Sequence, residues 1–225
     1  MFAFERELGI WKRLRHHNIL KFMGTTRGFG SSVALVAPWI ANDTLTSFLN
    51  DNNTLTLRDR LLLVRTSRTF PTYFNTVTHG ELTGSNVLIG SDRTAYLADF
   101  GLSGTLTPLL GVTSLAKMSC HPGAMRWAAP ELLSVEESGS AITTQSDIYS
   151  FGSIMLQVLT GNVPWRHLKN DFAIWSKVTV GEIHPRPDCV TDRHWNFMTR
   201  CWSMTPTDRP SAREALQFVD CELSR

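Results

Sequence analysis

His79-Gly80-Glu81-Leu82-Thr83-Gly84-Ser85-Asn86, then Asp99-Phe100-Gly101, then Ala129-Pro130-Glu131: the order and spacing of these three stretches decide how the chain is read. The first places a carboxylate, Glu81, shortly before an amide, Asn86, and the second supplies another carboxylate, Asp99. Two short apolar segments with strand signal, Val87 to Ile89 and Tyr96 to Ala98, lie between them. A three-residue string recurs by chance in any chain, so Asp99-Phe100-Gly101 alone carries little. An ordered set spread over most of the sequence is far more specific.

Upstream of this centre, Phe4, Leu8, Trp11 and Leu14 recur at helical intervals with Glu5, Arg6, Lys12 and Arg13 between them. The pattern predicts an amphipathic helix ending near His16-His17-Asn18. Apolar stretches at Ile19 to Met23 and Val33 to Ile40 read as two strands joined by the glycine-bearing Gly24 to Ser32. From Thr44 the pattern turns helical, first through Leu45, Phe48 and Leu49, then through Leu57, Leu61, Leu62 and Val64. Downstream of Pro130, helices are predicted around Ile148 to Leu159, Trp195 to Trp202 and Ala212 to Phe218, with loops at Ser134 to Ser140 and Gly181 to Pro187. Strands come first and helices dominate afterwards, which argues for an α+β fold rather than an alternating parallel sheet. No internal repeat is visible.

Composition narrows the function class. The 225 residues are 42% hydrophobic and 19% charged, with a formal charge of +2 and no basic block. Charge so balanced gives no reason to expect nucleic acid or a charged membrane surface as partner. The longest apolar runs fall well short of a bilayer span. The N-terminus lacks the basic-then-apolar layout of a secretory signal, so a cytoplasmic protein is expected. The four cysteines, Cys120, Cys189, Cys201 and Cys221, show no paired short spacing, which argues against a zinc site or a disulfide framework.

The three opening stretches resemble the catalytic loop, the metal loop and the end of the activation segment of a eukaryotic protein kinase. Further stretches resemble the same family. Ser146-Asp147-Ile148-Tyr149-Ser150-Phe151-Gly152 is similar to the start of the central helix, whose aspartate, here Asp147, accepts hydrogen bonds from the catalytic-loop backbone. Asp208-Arg209-Pro210 is similar to the region whose arginine, here Arg209, pairs with the glutamate ending the activation segment, here Glu131. Phe4, Glu7 and Leu8 resemble the small-lobe helix, and Glu7 fits the glutamate that pairs with a strand lysine. The segment Ala37, Pro38, Trp39, Ile40 resembles the hinge that binds adenine through backbone groups; Pro38 lacks an N–H and Ile40 keeps both groups. Met125 to Glu131 and Gly161 to Trp165 are similar to the tyrosine-kinase-like group of Ser/Thr kinases, and the wording of the catalytic loop to a set expanded in mushroom-forming fungi.

The resemblance implies ATP and magnesium as cofactors, with Asn86 and Asp99, both hard oxygen donors, on the metal ions. It implies an α+β kinase-like fold: an incomplete small lobe over residues 1–40 with one helix and two or so strands, and a mostly helical large lobe over 41–225. The chain begins within the small-lobe helix, so the glycine-rich loop and its companion lysine are expected to be missing from it. Three departures bear on activity. Glu81 stands where the family has its catalytic aspartate, Thr83 where Ser/Thr kinases have a lysine, and Gly80 where an arginine pairs with a phosphorylated loop. His79 reads as a packing residue beneath the metal loop. Arg65 to Thr72, with Pro71, interrupts what is a smooth helix in the family. The expected function is therefore ATP-dependent phosphoryl transfer to protein Ser/Thr, impaired in this chain. The alternative is an inactive pseudokinase that serves as a scaffold for protein partners.

Overall fold

The apolar stretch around Ile148 to Leu159 forms the body of a 17-residue helix, Thr144–Thr160, in which every residue from Ser146 to Leu159 is buried. A helix apolar on all sides must be surrounded by protein, and the other elements gather round it. A computed structural model describes residues 8–28, 30–66, 78–100, 123–133 and 142–225. In chain order, residues 8–11 form a helical turn, followed by strands β1 (Gly24–Gly28) and β2 (Gly30–Val36) and helices α1 (Leu45–Asp51) and α2 (Leu57–Thr66). Strands β3 (Val87–Ile89) and β4 (Ala95–Leu97) come next, then helices α3 (Pro130–Leu133), α4 (Thr144–Thr160), α5 (Asp171–Thr179), α6 (Asp192–Cys201) and α7 (Ala212–Leu223). The architecture is α+β, with few strands near the start and a mostly helical remainder.

Local chemistry fixes the helix ends. Thr143 and Ser146 form a reciprocal capping box at the start of α4, and Ser211 with Glu214 does the same for α7. Gly161, at φ 74°, closes α4 in the left-handed conformation that glycine adopts without strain. Helix α4 packs against α2, α6 and α7. At Gly152 a Cβ would lie 2.7 Å from Cys201 Cβ, so only glycine lets α6 come this near.

The strands form two antiparallel pairs, β1 with β2 and β3 with β4. Single bridges extend the second pair: Ile19 lies parallel to Leu97, and Thr44 antiparallel to Leu88. The sequence reading misplaced the first hairpin. Ile19 to Met23 is not a strand beyond that one bridge; its strand lies at Gly24–Gly28, and its partner ends at Val36 rather than Ile40. Ile19 and Leu20 are buried core residues, while β-branched Thr25 and Thr26 pair with Leu35 and Ala34. Proline at 38 has no N–H to continue the ladder. Helix α5, which the periodicity did not single out, starts at an Asn170 cap whose side chain accepts from Ala173 N. The irregular stretch predicted from Arg65 to Thr72 falls mostly outside the described residues, as does the loop at 134–140. Among the described residues no helix is long and apolar enough to cross a membrane.

Candidate active site

The first turn of α4 anchors the loop that carries Glu81. Asp147 is 1% exposed, and its two carboxylate oxygens accept from His79 N at 2.7 Å and Gly80 N at 2.9 Å. Gly80 sits at φ 84°, where the arginine of the resembled family would be strained. His79 is buried beside it, and the hydrogen bonds settle its tautomer. Glu81 N donates to Nδ1 at 3.2 Å, so Nε2 carries the proton and donates to Ala98 O at 3.0 Å. Burial holds His79 below the ordinary imidazole range, which suits this neutral form. The His79 ring lies 5.2 Å from that of Phe100, which lies 6.4 Å from Trp11, itself 5.4 Å from Phe22. A file of rings thus joins the loop, the segment after β4 and the first helical turn, with Trp11 Nε1 donating to Leu20 O at 2.6 Å.

Asn86 closes the loop from the other side. Its Nδ2 donates to Glu81 O at 2.8 Å, and its own carbonyl accepts from Ala98 N at 2.9 Å. With Nδ2 committed, Oδ1 is the atom left to accept a cation. Asp99 follows β4 with φ 58°, a left-handed conformation that costs on the order of 1 kcal/mol and is typically retained where function requires it. The structure therefore stitches His79, Glu81, Asn86 and residues 98–100 into one unit. Glu81 and Thr83 are both buried, at 6% and 5% exposure. Among the described residues no cluster of three or more His, Cys, Asp or Glu could hold a metal. A divalent ion here would need the oxygens of Asn86 and Asp99 completed by phosphate, as magnesium is usually held.

The remaining candidates lie around this unit. Residues 37–40 leave β2 without regular structure; Ala37 and Ile40 are half-buried, whereas the Trp39 side chain is 92% exposed. Pro38 and Ile40 border a cavity of about 690 Å³ with Leu20, Phe22 and Tyr96. Glu7 lies outside the described residues. Away from the loop, Arg209 grips Glu131 with both terminal nitrogens, at 2.6 and 2.8 Å, and donates to the carbonyls of Ser203 and Gln145 at 2.9 and 2.8 Å. Its guanidinium also covers the Tyr149 ring at 5.2 Å. The sequence reading missed Gln157 and Gly84, which meet behind the loop. A lone amide within the apolar run Ile154 to Leu159 was the available signal.

Two buried groups give stability an opposed dependence on pH. Burial pushes the Asp147 carboxyl up to about 7, against the pull of its two N–H donors. Its share of stability is whole below 3.8 and is lost as pH rises through 7. His184 lies between Trp165 and Trp202, with ring centroids at 4.3 and 4.7 Å. Burial, reinforced by His167, pulls it down to about 3. Its share is whole above the ordinary 6.5 and is lost as pH falls from there towards 3. A His184→Phe variant separates the two: relative to wild type it gains about 2 kcal/mol between pH 7 and pH 5, read from urea midpoints. A gap that stays constant with pH would refute the assignment.

Comparison with known proteins came out uniformly. The family model described as protein tyrosine and serine/threonine kinase matches residues 1–219. The chain is 29% identical, over 97% of its length, to the probable serine/threonine-protein kinase drkD of Dictyostelium discoideum, covering 16% of that protein. It is 27% identical, over 96% of its length, to the serine/threonine-protein kinase TNNI3K of Homo sapiens, covering 26%. It is 27% identical, over 95% of its length, to the mitogen-activated protein kinase kinase kinase mkh1 of Cytospora mali, covering 12%. The chain thus spans well under a third of these relatives.

Proposed function

The chain belongs to the protein tyrosine and serine/threonine kinase family, and from that premise we propose that it transfers the γ-phosphate of ATP to protein serine or threonine hydroxyls at a strongly reduced rate. The observation that carries this reading is the Asp147-clamped loop. Asp147 accepts from the backbone N–H groups of His79 and Gly80, and Asn86 keeps Oδ1 for a ligand with its nitrogen tied to Glu81 O. Magnesium bound with ATP neutralises charge on the transferring phosphate, and Asn86 and Asp99 would hold it. Adenine would meet the backbone of Ala37, Trp39 and Ile40. Glu81 would accept the proton of the substrate hydroxyl. Its extra methylene displaces the carboxylate by about an ångström, and misplacement on that scale costs on the order of a hundredfold. Thr83, in place of a lysine, leaves the transferring phosphate without a cation from that position. The relatives' names support serine and threonine as acceptors, and the same reading places the chain in the cytoplasm, where ATP and protein substrates meet.

A second reading, an inactive scaffold for protein partners, is favoured by the burial of Glu81 and Thr83. One assay separates the two. The purified chain is incubated with labelled ATP, magnesium and a generic protein substrate beside Asp99→Ala. Slow incorporation that Asp99→Ala lowers at least tenfold supports transfer. Incorporation at background level in both proteins supports the scaffold. A Mg-ATP thermal shift absent from Asp99→Ala would separately show that the nucleotide is held.

A further inference from the structure

Helix α4 buries an amide that phosphoryl transfer, as described, leaves unused. Gln157 is 1% exposed. Its Oε1 accepts from Trp127 Nε1 at 3.1 Å, and its Nε2 donates to Thr46 Oγ1 at 3.0 Å. Thr46 in turn donates its backbone N–H to Gly84 O at 3.1 Å. Gly84 itself leaves no room between them: a Cβ there would stand 2.4 Å from Gln157 Oε1 and 2.5 Å from Thr46 Oγ1. The amide therefore rests against the bare backbone of the loop between Glu81 and Asn86. Three separate elements meet on this one side chain: Trp127 just before Pro130, Thr46 in α1, and the loop.

We propose that Gln157 is a positioning residue that fixes loop residues 83–86 relative to Trp127, and so sets where Glu81 and Asn86 stand against the segment ahead of Pro130. The significance of that position rests on the phosphoryl-transfer reading; the positioning itself does not. An amide meets the demand, because its oxygen accepts from the indole N–H while its N–H donates to the Thr46 hydroxyl. A hydrocarbon leaves the indole N–H buried without a partner, at a cost that loosens whatever it holds. Glycine at 84 completes the device by allowing contact with the loop backbone.

The test uses Gln157→Met, which keeps the length but offers neither bond, and Gly84→Ala, which displaces the amide without altering its chemistry. Hydrogen exchange is followed at the Thr46 and Asn86 amides, which donate to Gly84 O and Thr83 O, with the Ile89 amide on Asp43 O as internal reference. Both variants are expected to exchange at least tenfold faster at Thr46 and Asn86 while Ile89 changes less than twofold. In a Glu81→Asp background, Gln157→Met is expected to lower kcat at least tenfold with KM for ATP unchanged. Exchange that rises equally at all three amides, or stays unchanged at Thr46 and Asn86 in both variants, would overturn the proposal. So would an unaltered kcat in an active Glu81→Asp background. If that background shows no transfer, the functional reading fails, and the exchange arm still decides the positioning role.

Discussion

Glu81→Asp is expected to raise the rate of phosphate transfer from ATP by roughly a hundredfold. The substitution shortens the side chain by one methylene and leaves in place the hydrogen bonds that Asp147, His79 and Asn86 make to the loop backbone. Glu81 contributes its backbone N–H to His79 Nδ1 and its carbonyl to Asn86 Nδ2, and aspartate keeps both groups. The clamp by Asp147 involves only the N–H groups of His79 and Gly80. The gain should therefore appear in kcat, with KM for ATP unchanged because Asn86 and Asp99 are unaltered. Initial rates with labelled ATP, compared with wild type and Asp99→Ala, provide the measurement. An increase of less than about threefold would move the defect away from Glu81 and towards Thr83.

Glu131→Ala is expected to cost about 3–5 kcal/mol of folding stability. The side chain of Arg209 is fully buried and that of Glu131 is 23% exposed, so removing the carboxylate strands a guanidinium that water reaches poorly. The carbonyls of Ser203 and Gln145 and the Tyr149 ring remain, yet none carries a negative charge to balance it. For a domain of this size the loss corresponds to a fall in melting temperature of roughly 10 °C. The double variant Glu131→Leu with Arg209→Met removes both charges and should recover most of the loss, since an apolar pair of similar volume replaces a buried ion pair at little cost. A Glu131→Ala protein that melts within about 2 °C of wild type would show that the pair contributes almost nothing.

Sequence disclosed the elements with strong periodicity and the residues whose spacing is chemically constrained. The long apolar run around Ile148 to Leu159 could only be a buried helix, and the two short strands flanking Gly90 to Thr94 fell within a residue of where they lie. The first hairpin slipped because Ile19 and Leu20 are apolar for the sake of the core, whereas the true strand is built from threonines between glycines. Helix α5 stayed hidden because its inward residues, Ile174 and Val178, are masked in the pattern by Phe172, which is 76% exposed on the opposite side. Of the candidate site, Asp147, Asn86 and Asp99 could be named in advance because the family spacing marks them. The contacts of Gln157 with Trp127 and Thr46 join positions 30 and 111 residues apart. No local pattern encodes such a meeting; it exists only once α1, α4 and the loop are packed.

The hydrogen bonds that Asp147, His79 and Asn86 make to the loop are to its backbone and not to the Glu81 carboxylate, and this has an evolutionary consequence. Codons for glutamate and aspartate differ only in the third base, so one nucleotide change moves a gene of this kind between the two residues while those backbone hydrogen bonds stay available. On the proposed reading, a lineage carrying such a gene would lose or regain phosphate transfer at a single base.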